Sequence, residues 1–168
     1  MNNVNHREYV LLSLGANLGD RKQALIDAVD YLRDNGVLTG ISTSSFYETQ
    51  PFGVVDQPQF VNIVVSGFTQ LSVFALLQIC KSIEYLMGRQ TRQRWHEREI
   101  DIDILIYGDL VISKEKIKIP HPAMGERKFV LIPAAEIAAK AKDPKSCKTI
   151  AELLDECEDN SDVYPMNN

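Results

Sequence analysis

The chain contains no stretch approaching the ~18 apolar residues of a membrane span, and its first residues, MNNVNHREYV, hold no apolar run of signal-peptide length. The expectation is a cytoplasmic protein that stays off the membrane. A CxxC pair is also missing. Cys80, Cys147 and Cys157 are odd in number and widely spaced, which excludes a disulfide framework or a zinc knuckle and leaves reduced thiols. Nor is there an excess of positive charge: 18 Lys and Arg against 23 Asp and Glu give a formal net charge of −5. That balance argues against a general nucleic-acid or acidic-membrane binder, so any bound anion must be held locally. Repeats, low-complexity segments and linkers are absent too. The 168 residues, 45% hydrophobic, therefore read as a single domain, 1–168, with a core over about 8–157 and frayed tails at 1–7 and 158–168. A monomer is expected.

What is present is a regular alternation of elements. Glu8 to Leu14 is an apolar run that suits a central strand. Asp20 with Gln23 resembles a capping box, and Leu25, Ala28, Val29 and Leu32 form a helical stripe that stops at Asn35-Gly36. Val37 to Tyr47 and Phe60 to Phe68 read as two paired strands. Ser72 caps a second helix whose apolar positions Val73, Leu76, Leu77, Cys80, Ile83 and Met87 end at Gly88. Residues 97–107 supply a fourth strand. This order predicts an α+β fold with a ferredoxin-like βαββαβ core, an antiparallel sheet with helices on one face and a cleft on the loop-walled other face. Beyond it, Val111 to Ile119 reads as added strand, Phe129 to Ala139 as a helix despite Pro133, and Thr149 to Cys157 as a last short helix.

The fourth strand, EREIDIDILIY, carries acids in an otherwise buried pattern. Alternation sends Ile100, Ile102, Ile104 and Ile106 to one face and Glu99, Asp101 and Asp103 to the other. Like charges at that spacing need open water or a bound cation. A DxD pair alone is more often a solvated face. On a rigid strand it is also a common way to hold Mg²⁺, which prefers oxygen ligands and recruits substrate phosphates to complete its shell.

Just upstream, GRQTRQRWHER gathers Arg89, Arg92, Arg94 and Arg98 in an acidic protein. Such a run is usually a solvated loop, but guanidinium groups bind phosphate oxygens bidentately, and beside an acid pair they read as a triphosphate site. The connection YETQPFGVVDQPQFVN, residues 47–62, is long for a small domain. Its Phe52, Phe60 and Asn62 fit either core packing or a flat heteroaromatic ring, held by stacking and amide hydrogen bonds. His121 fits a structural, a phosphate-donating or an acid–base role. The Gly15 to Asp20 turn lacks the Lys-Ser/Thr of a P-loop and reads as a strand-to-helix turn.

In four blocks the chain resembles the 6-hydroxymethyl-7,8-dihydropterin pyrophosphokinases of folate biosynthesis. They are Ser13 to Asp20; Ser45 to Gly53 with Gln57 to Asn62; Arg94-Trp95 with Arg98 to Leu105; and Pro120-His121-Pro122 with Arg127 to Leu131. The resemblance spans residues about 9–138. It implies transfer of a pyrophosphoryl group from ATP to the pterin's hydroxymethyl oxygen, with AMP leaving and two Mg²⁺ held by Asp101 and Asp103. It assigns Thr49, Pro51, Phe52, Phe60, Asn62 and Phe129 to the pterin, with Phe60 and Phe129 sandwiching the ring. Glu84, Arg89, Arg94, Trp95, Arg98, Ile104, His121 and Arg127 go to ATP, and Arg94 and Arg98 join the two Asp in catalysis. Two departures stand out: Phe60 where the family often has Tyr, and Gln50 where it often has Pro. The rivals are a ferredoxin-like nucleic-acid module, whose aromatic strand motif is missing, and a two-metal nuclease using the same acids.

Overall fold

The computed structural model describes residues 6–50, 57–89 and 98–166. The chain runs β1 (Glu8–Ala16), α1 (Arg21–Asp34), β2 (Thr39–Thr43), β3 (Tyr47–Thr49), β4 (Phe60–Thr69), α2 (Val73–Leu86), β5 (Asp101–Tyr107), β6 (Ile112–Lys114), β7 (Ile117–Ile119), a 3-10 turn at Met124–Glu126, α3 (Lys128–Ala138), α4 (Ile150–Asp155) and β8 (Val163–Pro165). The fold is α+β. Its main sheet is antiparallel, in the order β5-β1-β4-β3-β8, with β2 also paired to β4.

Local chemistry sets the helix boundaries. Asp20 caps α1 by accepting from the Gln23 N–H at 3.1 Å, and Gly36, at φ 64°, ends the turn that follows it. The Gln23 side chain bonds Asp27 instead of reaching back, so only half of the expected capping box forms. Ser72 caps α2 through the Ala75 N–H. Leu25, Ala28 and Leu32 of α1 and Leu76, Cys80 and Ile83 of α2 are fully buried against Leu12, Leu14, Ile63, Ile100 and Ile102. Each such Leu or Ile contributes roughly 1.5–3 kcal/mol.

The structure departs from the sequence reading in five places. The strand expected over Val37 to Tyr47 is broken into β2 and β3, because Ser44 leaves the ladder and its hydroxyl accepts from the Val64 N–H at 2.9 Å. The Val111 to Ile119 segment folds as a separate two-stranded hairpin, β6-β7. Ile106 does not share a face with Ile102 and Ile104. Leu12 pairs with Ile104 while Leu11 pairs with Ile106, so Leu105 is an extra residue, and this bulge flips the phase of the strand beyond it. Ile106 and Leu105 join a second cluster with Leu11, Val64, Val130, Leu131 and Ala134. That cluster shows the fourth departure: α3 and α4 cover part of the face expected to be walled by loops alone. Finally, the tail expected to fray from 158 contains β8, hydrogen-bonded to β3.

Candidate active site

The register of three neighbouring strands builds the floor of a cleft. Asp101 on β5 lies opposite Gly15 on β1, and Gly15 lies opposite Asn62 on β4. One row thus runs carboxylate, bare backbone, carboxamide. Asp103 opposite Ser13 begins a parallel row. Above the floor opens a cleft of about 320 Å³, walled in addition by Thr49, Gln50, Phe60, Lys81, Arg89, Arg98, His121, Arg127 and Phe129. Among the described lining residues four are cationic and two are carboxylates. A chain of net charge −5 therefore concentrates positive charge at this place, as a polyanion site requires.

Gly15 matters for its missing side chain. A Cβ there would stand 2.7 Å from Asn62 Oδ1, so only glycine leaves this amide its place. Asn62 is 4% exposed and donates from Nδ2 to Thr49 Oγ1 at 2.9 Å, which fixes its plane. Phe60 sits two residues away on the same face. Phe129, at the start of α3, has the Arg127 guanidinium 5.8 Å from its ring centroid, within cation–π range.

The acidic end is held by ion pairs. Asp101 accepts from Arg89 at 2.7 Å on one oxygen and from Arg98 on the other. Arg89 also pairs with Glu84, a buried carboxylate on α2. Glu84 takes Lys81 at 2.9 and 3.1 Å and the Ile102 N–H at 2.8 Å, so it anchors two cations and the outer edge of β5. Burial, and then the charge of Asp101, push the Asp103 carboxyl above its ordinary range. His121 Nε2 is 3.9 Å from Asp103 Oδ2. Burial and then Arg127 lower the His121 pKa to about 4, so the ring is neutral at pH 7. Its Nδ1 accepts from the Ala123 N–H at 3.3 Å, which leaves the proton on Nε2, facing the cleft.

Of the residues expected from sequence, Asp101, Asp103, Arg89, Arg98, His121, Arg127, Thr49, Phe60, Asn62 and Phe129 converge on this cleft. Glu84 lies behind it. Ile104 does not line it: its side chain is 5% exposed, in the core beneath the sheet. Its main chain faces the same outer edge of β5 as that of Ile102. Glu99 precedes β5 and is outside the acid row. Pro51, Phe52, Arg92, Arg94 and Trp95 fall outside the described residues.

Sequence reasoning missed three residues. Lys81 is a wall residue, recognisable only once α2 is laid beside β5. Gly15 reads in sequence as the start of a strand-to-helix turn, whereas it lies within β1. Asn17, 1% exposed, joins three segments: its Oδ1 accepts from the Arg98 N–H at 2.7 Å, and its Nδ2 donates to Gln57 Oε1 and the Pro58 carbonyl, each at 3.1 Å. A single asparagine in a turn gives no sequence signal for such a junction. Cys80 lies in the core below, where burial, followed by the charge of Glu84, pushes its thiol up to about 12.

Comparison with known proteins gives a consistent result. A family profile described as 7,8-dihydro-6-hydroxymethylpterin-pyrophosphokinase (HPPK) matches residues 11–139. The 2-amino-4-hydroxy-6-hydroxymethyldihydropteridine pyrophosphokinase of Bacillus subtilis is 41% identical over 150 residues, covering 89% of this chain and 87% of that protein. The mitochondrial folate synthesis bifunctional protein of Arabidopsis thaliana is 40% identical over 80% of this chain, which matches 24% of its length. Among solved structures, Plasmodium falciparum HPPK-DHPS with pteroate superposes with a TM-score of 0.72 at 17% identity, over 93% of this chain and 43% of that one. This last likeness concerns the fold alone, and the match spans less than half of that solved chain.

Proposed function

This chain belongs to the 7,8-dihydro-6-hydroxymethylpterin-pyrophosphokinase family, and from that premise we propose how its cleft performs the family's reaction. The reaction moves a pyrophosphoryl group from ATP to 6-hydroxymethyl-7,8-dihydropterin in folate biosynthesis. The hydroxymethyl oxygen forms a bond to the β-phosphorus. The bond from that phosphorus to the α,β-bridging oxygen breaks, and AMP leaves with the oxygen.

The pterin lies over the uncharged end of the floor, between Phe60 and Phe129. Asn62, fixed by Thr49, reads the amide-like edge of the ring. This orientation aims the hydroxymethyl arm along the row past Gly15 toward Asp101. At the acidic end, Asp101 and Asp103 offer hard oxygen donors on one strand, a set that suits Mg²⁺. Among the described residues no group of three or more His, Cys, Asp or Glu is placed to hold a metal ion, so water and phosphate oxygens would complete the shells. Two Mg²⁺ held by this pair would neutralise charge on the triphosphate and draw electrons from the β-phosphorus.

The protein's own groups position and neutralise. Arg98 and Arg127 bind phosphate oxygens, and Arg89, steadied by Glu84, does the same from the α2 side. His121 donates from Nε2 as a neutral hydrogen-bond donor. Ile104 contributes its main chain at the β5 edge. By likeness to the family, Pro51 and Phe52 complete the pterin pocket, and Arg94 and Trp95 complete the ATP site. The core through β5 is read as ferredoxin-like. All of these residues come from one chain, which fits a monomer. A cytoplasmic location fits the supply of ATP and the three free thiols.

The observation that carries this reading is the row that sets Asp101, Gly15 and the buried Asn62 carboxamide on three adjacent strands, with Asp103 beside it in the next row. The test is incubation with ATP, Mg²⁺ and hydroxymethyl-dihydropterin. AMP and the pterin diphosphate should appear in equal amounts, whereas ADP would point to an ordinary kinase. No described helix is long and apolar enough to cross a membrane.

A further inference from the structure

The first turn of α3 carries Phe129 and follows Arg127, so its position sets one wall of the cleft. The opening N–H groups of a helix have no partners within it. Arg127, the cap residue of α3, makes no side-chain cap bond. The acceptor comes from far along the chain: Asp159 Oδ2 accepts from the Lys128 N–H at 2.8 Å. Its other oxygen accepts from the Ser161 N–H at 2.9 Å. Burial opposes the charge on Asp159, but these backbone donors outweigh it and hold the carboxyl below its usual range. Anionic Asp159 also suits the positive end of the helix dipole.

Four residues later the same segment becomes β8. There Val163 pairs with Thr49, Tyr164 with Glu48 and Pro165 with Tyr47, and the Met166 N–H donates to the Phe46 carbonyl at 2.8 Å. Thr49 is the residue that fixes the Asn62 amide. Residues 159–165 therefore tie together the element that carries Phe129 and the strand that steadies Asn62, both of which border the proposed pterin pocket. The body of α3 is held independently. Glu136 accepts from the Ser45 N–H and hydroxyl and from the Tyr47 hydroxyl at 2.8–3.1 Å, while Val130, Leu131 and Ala134 are buried. Loss of the Asp159 contact should loosen the first turn without undocking the helix.

We propose that residues 159–165 act as a strap that sets the width of the pterin pocket, with Asp159 as the positioning residue for Phe129. The strap lies beyond the residues 11–139 that match the family profile. The proposal rests on the pterin reading of the cleft, and the control below separates the two.

Steady-state kinetics with varied pterin should be measured for Asp159→Ala, Asp159→Asn, Asp159→Glu and Phe129→Ala, alongside thermal melting. Asp159→Ala should raise the pterin KM about 3- to 10-fold while kcat at saturating pterin stays within about twofold. Asp159→Asn should recover the KM only in part, since its single carbonyl oxygen can accept from the Lys128 N–H or the Ser161 N–H but not from both. Asp159→Glu should raise the KM again, because the longer side chain moves the acceptor, and it keeps the test open if the Ala variant does not fold. A lowered melting temperature with an unmoved KM in both Ala and Glu variants would overturn the strap as a positioning device. If Phe129→Ala raises the KM and the Asp159 variants do not, the strap alone fails. If Phe129→Ala leaves the KM unchanged, the pterin assignment fails and the strap proposal with it.

Discussion

The two ends of the cleft floor share a sheet and are built on opposite principles. At the β4 end, Asn62 and Thr49 are neutral, buried and bonded to each other. Their geometry is set before any ligand arrives, and a planar ring has only to slide in. At the β5 end, Asp101 is occupied by Arg89 and Arg98, and Asp103 is pushed toward its neutral form by burial and by its neighbour. These groups are balanced against one another, and a charged ligand must exchange partners with them. On the proposed reading, one end recognises by shape held in advance and the other by redistributing charge.

The largest break in this contrast should come from the acids. Asp101→Asn or Asp103→Asn should cut turnover by at least ~10²-fold, because each removes a charged donor where transition-state charge is met. Pterin binding should stay close to wild type. Since the folded chain disfavours ionised Asp103, its Asn variant should melt at the same temperature or higher at neutral pH. A loss of pterin affinity equal to the loss of turnover would show that the ends are not separate.

A more moderate effect is expected at the neutral end. Gly15→Ala would bring a methyl group to 2.7 Å from Asn62 Oδ1, and the amide would turn away from Thr49. Overpacking of this kind costs about 1–3 kcal/mol, so the pterin KM should rise at least ~5-fold while ATP affinity, measured calorimetrically, changes little. Equal losses for both ligands would mean general damage to the sheet.

The smallest effect sharpens the contrast at its boundary. With a pKa near 4, His121 should show no imidazole titration by NMR between pH 6 and 8, and activity should have no inflection there from this residue. Its folded pKa lies below the unfolded value of about 6.5. The stability from the neutral ring is therefore complete above pH ~6.5 and is lost as pH falls toward 4. His121→Asn should flatten the stability profile across that window. A ring titrating near 6.5 would place His121 with the exchangeable charges instead.

The legibility of these features in sequence follows from how local they are. Asp20 and Ser72 mark their helices because a cap is a contact within one turn. The alternation around Asp101 and Asp103 survives because the strand period is fixed up to Leu105. Past that point the bulge reverses it, and no Gly or Pro announces the change, so Ile106 was assigned to the wrong face. α3 was placed in sequence, but its docking over Leu11 and Val64 depends on contacts made across the sheet. Asn17 and Asp159 gain their roles from partners on other elements, 40 to 81 residues away for Asn17 and 31 for Asp159. β8 is three residues long and ends in Pro165, too short and too polar around it for any period to emerge.

The row from Asp101 through Gly15 to Asn62 also acts as a gauge. Neighbouring strands stand about 4.8 Å apart, so two spacings put the acid strand and the carboxamide strand about 10 Å apart. That interval is a property of the backbone and does not change when side chains adjust. On the proposed reading, a substrate is accepted by length: its hydrogen-bonding edge must reach one mark while its hydroxyl reaches the other. A fused bicycle with a one-carbon arm can span it, and a single ring carrying the same arm falls short however well its edge is read.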